Sequence, residues 1–258
     1  MQTARIFDTH THYDDPRFDD PEGLISRLFD EDVSGIIHAS TDIASAEFGI
    51  KMSEKFPRCY ASVGIHPEYA AEFSEKDVLR LEELAKASKK VVAVGEIGLD
   101  YHYEGFDKAA QISLFRGQIE LANRLSLPVI VHCRDAVGDC VEILRELRPK
   151  GVMHCFSGSW ETAKEILSLG MYLGFTGALT FKNAKKAQEV VKNMPLDRLL
   201  FETDCPYMAP EPHRGEVCHS GMIRFTAQKA AELKGVTTDE ILLLAEENAG
   251  RLFGIFNE

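Results

Sequence analysis

Two histidines one residue apart, His10 and His12 in Asp8-Thr9-His10-Thr11-His12, close the first apolar run of the chain. In an extended strand they share a face, because strand side chains alternate with period two. Two imidazoles so placed can hold one metal ion, and Asp8 falls on the same face. A polar strand end carrying two unrelated histidines would look the same, so the motif needs further ligands converging on it. Glu96, His132, His154 and Asp204 supply them: each stands late in, at the end of or just past a later apolar run. Together these donors exceed what one catalytic zinc takes, since such sites usually use three protein ligands and keep one position open. They suit two divalent ions sharing a carboxylate. Glu96 would bridge, with His10, His12 and Asp204 on one ion and His132 and His154 on the other. Such a pair activates a water and stabilises charge during displacement at phosphorus or an acyl carbon. Asp204 could also accept the proton of that water. Asp8 is then support rather than a ligand. Nitrogen and oxygen donors of this kind accept Zn, Mg or Mn.

These residues need a scaffold that brings distant runs together at one end. The sequence predicts strands over 33–40, 59–66, 91–99, 129–133, 151–156, 172–176 and 199–203 after the opening one. Helices are predicted between them. Asp20-Pro21 offers an N-cap and a first-turn proline for the first helix, which runs to about Asp32. Asp107 can cap the clearest helix, in which Ile112, Phe115, Ile119, Ala122 and Leu125 recur at helical steps. Two helical stretches fill the tail, the last opened by the capping box Thr237-x-x-Glu240. Strand–helix units repeat roughly every 30 residues, the length of one βα unit. Their nearly continuous apolar strands are those of a parallel sheet covered on both faces. The economical reading is a (β/α)8 TIM barrel, an α/β fold, formed as one domain over residues 1–258. A doubly wound open sheet is the alternative. In a barrel, the C-terminal strand ends gather on one face, where active sites of this fold are built.

The 258 residues match the roughly 250 that such a barrel needs. A formal charge of −12 argues against a broad basic nucleic-acid surface but not against anionic substrates, because bound cations supply positive charge locally. No run approaches the roughly 20 apolar residues of a membrane helix. The six cysteines form no C-x-x-C pair, and no basic-then-apolar leader opens the chain. The expectation is a cytoplasmic protein with reduced thiols. No membrane or obligate protein partner is expected.

The segments DTHTHYD (8–14), GIHP (64–67), GEIGLDY (95–101), HCRDA (132–136), HCFSG (154–158) and ETDCPYMAP (202–210) together resemble the TatD family of metal-dependent hydrolases, within the amidohydrolase-like barrels. They run in family order over almost the whole chain. The resemblance implies a divalent-metal phosphoesterase, commonly a 3'-5' exodeoxyribonuclease acting on DNA ends. It also implies His10, His12, Glu96, His132, His154 and Asp204 as the metal ligands. Where family members often carry an R-N-E-P-like segment after the ETD strand, this chain reads Arg214-Gly215-Glu216-Val217-Cys218-His219. Loops set specificity on this scaffold, so the departure bears on substrate choice and not on the metal chemistry.

Beyond the ligands, His66 could hydrogen-bond a substrate phosphate, and Arg134 could match paired phosphate oxygens with its guanidinium. Lys182 and Arg214 follow the seventh and eighth strands, where barrel phosphate sites often lie. Asp100 could orient a histidine through its second ring nitrogen. Cys133, Cys155 and Cys205 each adjoin a ligand; if strand alternation persists they face the helices as small apolar residues. His38, His102, His213 and His219 carry no assigned role. The substrate reading is DNA ends or small phosphoesters. The alternative is hydrolysis of an acyl or C–N bond, such as D-aminoacyl-tRNA deacylation. Amidase-type barrels often use a carboxylated lysine as the bridge; the fourth strand here supplies Glu96 instead. A non-enzymatic metal-binding protein is the third reading, and the apparently complete ligand set argues against it.

Overall fold

The computed structural model describes residues 5–255. Eight parallel strands alternate with helices in sequence order. They are β1 (Ile6–Thr11), β2 (Val33–His38), β3 (Cys59–Val63), β4 (Val91–Asp100), β5 (Val129–Arg134), β6 (Gly151–Met153), β7 (Tyr172–Phe175) and β8 (Leu199–Phe201). The helices are α1 (Pro21–Asp30), α2 (Ile43–Lys55), α3 (Glu75–Ala87), α4 (Lys108–Leu125), α5 (Val137–Leu147), α6 (Trp160–Ser168), α7 (Lys185–Asn193), α8 (Ile223–Lys234) and α9 (Thr238–Phe253). Each strand pairs with the next, from β1 through β8, which is the barrel and not the open sheet.

The caps act where the sequence placed them. The carboxylate of Asp20 accepts from the Gly23 N–H and that of Asp107 from the Ala110 N–H. Thr237 and Glu240 exchange their capping-box bonds. Each satisfies backbone donors that a helix start leaves without partners.

Two apolar layers form. The larger lies between strands and helices. The smaller gathers Phe7, Ile37, Val92, Ile130, Val152, Tyr172 and Leu200 from the strands, with Tyr60 packed against them, and is completed by Ala249, Phe253 and Ile255. Side chains from every strand meeting in one layer make the interior a packed core rather than a pore.

Five strands end earlier than their apolar runs suggest, β2 among them at His38. β3 stops at Val63, β6 at Met153, β7 at Phe175 and β8 at Phe201, so His66, His154 and Asp204 lie beyond the regular ladder. The reason is visible in the hydrogen bonds. Past those points, side chains and other segments take several of the backbone N–H groups, that of Ile65 going to the Gln118 amide oxygen and that of His66 to the Thr41 carbonyl. The Cys155 N–H donates to Glu202, and the Thr203 N–H donates to Asp8. Cys155 and Asp204 turn into the left-handed region, with φ of 45° and 58°. That region is uncommon for residues other than glycine and marks where chain direction is forced.

The barrel closes at the same end. The Asp204 N–H donates to the His10 carbonyl and the His12 N–H to the Cys205 carbonyl, each at 3.0 Å. β1 is therefore joined to the exit of β8 by the two residues that carry the histidine pair.

Candidate metal centre

β1 carries an irregularity: Asp8 pairs with Ile36 and Thr11 with His38, so three residues advance against two. Simple alternation is interrupted there. The Asp8 carboxylate turns away from the histidines and accepts from the His10 N–H, the Thr203 N–H and the Thr203 hydroxyl. Asp8 thus ties β1 to the β8 exit, in keeping with a supporting role. Burial pushes its carboxyl up to about 7.

His10, His12, Glu96, His132, His154 and Asp204 converge on one point. The Nε2 atoms of His10 and His12 stand 3.0 Å apart. Glu96 Oε2 lies 3.2 Å from the first and 3.6 Å from the second, and Asp204 Oδ1 lies 3.7 and 3.3 Å from them. The other Glu96 oxygen, Oε1, is 2.9 Å from His132 Nδ1 and 3.1 Å from His154 Nε2. One carboxylate therefore faces two separate imidazole pairs, one through each oxygen. The His10 and His154 rings stack at 3.9 Å between centroids, which brings the two pairs together.

This donor set fits divalent cations. The cluster offers imidazole nitrogens and carboxylate oxygens, several mutually within 4.8 Å, and among the described residues no Lys or Arg forms an ion pair with the six. Buried carboxylates are otherwise costly unless paired.

The histidines on the β5 and β6 side each have a second carboxylate. His132 Nε2 is 3.1 Å from Asp100 Oδ2, and His154 Nδ1 is 3.1 Å from Glu202 Oε1. Burial opposes charge on both rings, but Asp100 and Glu96 push His132 up to about 9, and Glu96 and Glu202 push His154 up as well. His10 goes the other way, lowered by burial and by the neighbouring His154.

Asp100 fills the place expected of it, holding a histidine through its second nitrogen. Glu202 is a residue the sequence reading missed. The available signal was a glutamate inside the apolar run Leu199–Thr203, since a buried charge in a strand needs a partner. Gly174 on the neighbouring strand makes room for it: a Cβ there would lie 2.3 Å from Glu202 Oε2. Two glutamines of α4 were also missed. Gln118 accepts from the Ile65 N–H and donates to its carbonyl, and Gln111 does the same to Asp100. Both are buried, and each replaces the ladder bonds missing at a site-bearing strand end.

His66 joins the cluster's edge. Its Nε2 is 3.9 Å from Glu96 Oε1 and its ring meets that of His132 edge-on at 4.5 Å. Its Nδ1 accepts from the Glu68 N–H, so the neutral ring carries its proton on Nε2, toward the cluster. Burial holds its pKa down at about 4. Among the described residues, Arg134, Lys182 and Arg214 make no hydrogen bond or ion pair with the six. Arg134 lies over the Tyr103 ring at 5.3 Å and Arg214 over Phe181 at 4.5 Å. Among the described residues neither makes an ion pair, and Lys182 is exposed without one.

Cys133 packs toward Cys140 of α5, as strand alternation expects. Cys155 and Cys205 lie past their strands and do not follow it; Cys155 sits 3.6 Å from the Thr176 hydroxyl, and Cys205 is buried near Cys218 and Asp8. Of the unassigned histidines, His38 meets Ser45 at 3.1 Å, while His102 and His213 pair with Asp135 and Glu216.

Comparison with known proteins agrees with this architecture. Residues 7–254 match the family model described as TatD related DNase. An uncharacterized metal-dependent hydrolase of Bacillus subtilis, YabD, is 44% identical over 97% of this chain and 99% of its own length. The 3'-5' ssDNA/RNA exonuclease TatD of Erwinia tasmaniensis is 34% identical over 92% of this chain and 94% of its own. The crystal structure of YJJV, a TatD homolog from Escherichia coli, superposes with a TM-score of 0.91 at 32% identity, covering 98% of this chain and 99% of that one. The chain belongs to the TatD-related DNase family.

Proposed function

We propose that this protein is a metal-dependent hydrolase of phosphodiester bonds that releases nucleotides from the 3' ends of single-stranded DNA. The observation that carries the reading is Glu96, whose two oxygens face separate histidine pairs, a layout suited to two ions. His10, His12 and Asp204 would hold one, and His132 and His154 the other, with Glu96 shared. Divalent ions bound there supply Lewis-acid stabilisation of charge at phosphorus and make water a better nucleophile. Zn, Mg or Mn suits the donors.

The chain's own groups divide the remaining work. Asp204, partly open to solvent beside the histidine pair, accepts the proton of the attacking water. His66 offers a neutral Nε2–H donor to a phosphoryl oxygen. Asp100 and Glu202 hold His132 and His154 in orientation, as carboxylates behind metal-bound histidines commonly do. Arg134 supplies a guanidinium without an ion-pair partner to an incoming phosphate; Lys182 and Arg214 extend that positive rim. The relative from Erwinia tasmaniensis, named for its exonuclease activity on ssDNA and RNA, supports the substrate class. No helix of the described residues is long and apolar enough to cross a membrane, and the described cysteines are free, which supports a reducing, cytoplasmic setting.

End-labelled single-stranded DNA incubated with Mg, Mn or Zn tests the reading. Stepwise nucleotide release that chelator abolishes is the expected result. Turnover of an acyl-tRNA with none of DNA would replace phosphoryl by acyl chemistry at the same cluster.

A further inference from the structure

Beside the cluster, a cavity of about 360 Å³ opens between the segment following β6 and the start of α7. It begins one residue from the centre: Cys155 and Thr176 line its inner end, and Cys155 directly follows His154. Phe156, Phe175 and Leu179 form apolar walls, while Ser157, Asn183, Lys185 and Lys186 make a polar and cationic rim. Apolar walls with a few polar groups are the composition of a small-ligand site, and the volume is within the usual range of about 300–1,000 Å³. Both lysines are exposed, and among the described residues neither makes an ion pair.

A second cavity, of about 200 Å³, lies on the other side of the same segment. Cys155, Phe156 and Ser157 line both, and His154 and Arg134 line the second. The two cavities stand in a row parted by residues 155–157, with Arg134 and His154 on one and Lys185 and Lys186 on the other. Cations stand at both ends of that row in a chain whose formal charge is −12.

We infer that the larger cavity is a nucleotide subsite, taking one nucleotide of the polynucleotide chain with its base against Phe156 and Leu179 and its phosphate at Lys185 and Lys186. Aromatic and apolar faces accept any base, and lysines track the backbone, so such a subsite is tolerant of sequence. This inference rests on the phosphodiester reading for its occupant, and it goes further by placing the neighbouring nucleotide.

Fluorescence anisotropy of labelled hexathymidylate on the full chain in chelator tests the subsite apart from hydrolysis. The Lys185→Ala/Lys186→Ala double variant is expected to bind about tenfold more weakly, with the slope of log K against log salt reduced by about 0.7, the value for one lost phosphate contact. Ala184→Phe, which narrows the rim, should weaken binding without changing that slope. Lys150→Ala, preceding β6 at the far end of the barrel, serves as a control for lysine removal away from the cavity and should bind as wild type. In hydrolysis, the double variant should raise KM for hexathymidylate while KM for bis(p-nitrophenyl) phosphate stays put. Unchanged hexathymidylate binding in both rim variants overturns the subsite even if DNA is cut. Thymidine monophosphate competing as tightly as hexathymidylate also overturns it, because a free nucleotide would then be the occupant. Lysine-dependent binding without DNA cleavage upholds the subsite and removes the hydrolytic reading instead.

Discussion

The two halves of the metal centre are held by different means. On the β5 and β6 side, each histidine is fixed by a carboxylate behind it: Asp100 on His132 and Glu202 on His154. On the β1 and β8 side, His10 Nδ1 is buried and has no hydrogen-bond partner among the described residues. There the backbone does the holding, through the His10 carbonyl to Asp204 N–H and the His12 N–H to the Cys205 carbonyl. One half is oriented by side chains that a single substitution can remove. The other is oriented by barrel closure, so its geometry and the stability of the fold are the same bonds.

Removing what both halves share should have the largest effect. Glu96→Ala is expected to lower hydrolysis by roughly 10³-fold or more while circular dichroism stays native, since the residue touches both histidine pairs. Wild-type turnover would contradict a shared bridge.

The contrast itself is tested by one substitution on each side. Asp100→Asn and Glu202→Gln should weaken metal affinity by about 10–100-fold, measured by chelator competition, with little change in metal-free melting temperature. Asp8→Ala should do the reverse. It leaves the Thr203 N–H without its acceptor in a buried place, at a cost of about 1–3 kcal/mol in denaturant unfolding. If Glu202→Gln melts the fold while Asp8→Ala leaves stability untouched, the division between the halves is wrong.

The smallest effect concerns pH. His38 packs beside His12, with ring centroids 6.5 Å apart, and faces Ser45 and Asp14. Burial holds it down at about 4, against an ordinary 6.5, so the unfolded chain takes up its proton first. Its contribution to stability is therefore complete above pH 6.5 and lost as pH falls toward 4, on the order of 3 kcal/mol in all. His38→Gln should flatten the stability profile of the metal-free protein across that window. A profile as steep as wild type would assign the acid sensitivity to other groups.

Much of this was legible in residue order alone. The helix over Lys108–Leu125 follows from Asp107 and the apolar steps after it, and the start of every strand follows from its apolar run. The strand ends did not follow, because particular backbone N–H groups there, those of Cys155 and Thr203, bond to the side chains of Glu202 and Asp8. Local pattern carries no information about an acceptor that arrives 195 residues away in sequence. Arg134 shows the same limit: its type suggested a phosphate contact, and only the fold shows that the guanidinium lies over the Tyr103 ring.

What the sequence by itself determined is the inventory and the scaffold: six nitrogen and oxygen donors, each at or near a strand end, on strands spaced for a parallel barrel. Periodicity conveys this because it is set by covalent geometry within each element. Only the tertiary structure decided that His10-Thr11-His12 is seated across an irregular strand and joined to Asp204 by barrel closure. It also decided that Asp100 and Glu202, rather than solvent, stand behind the opposite histidines. Which atom faces a second ring nitrogen depends on register and packing between strands, and those are set by the closed sheet as a whole.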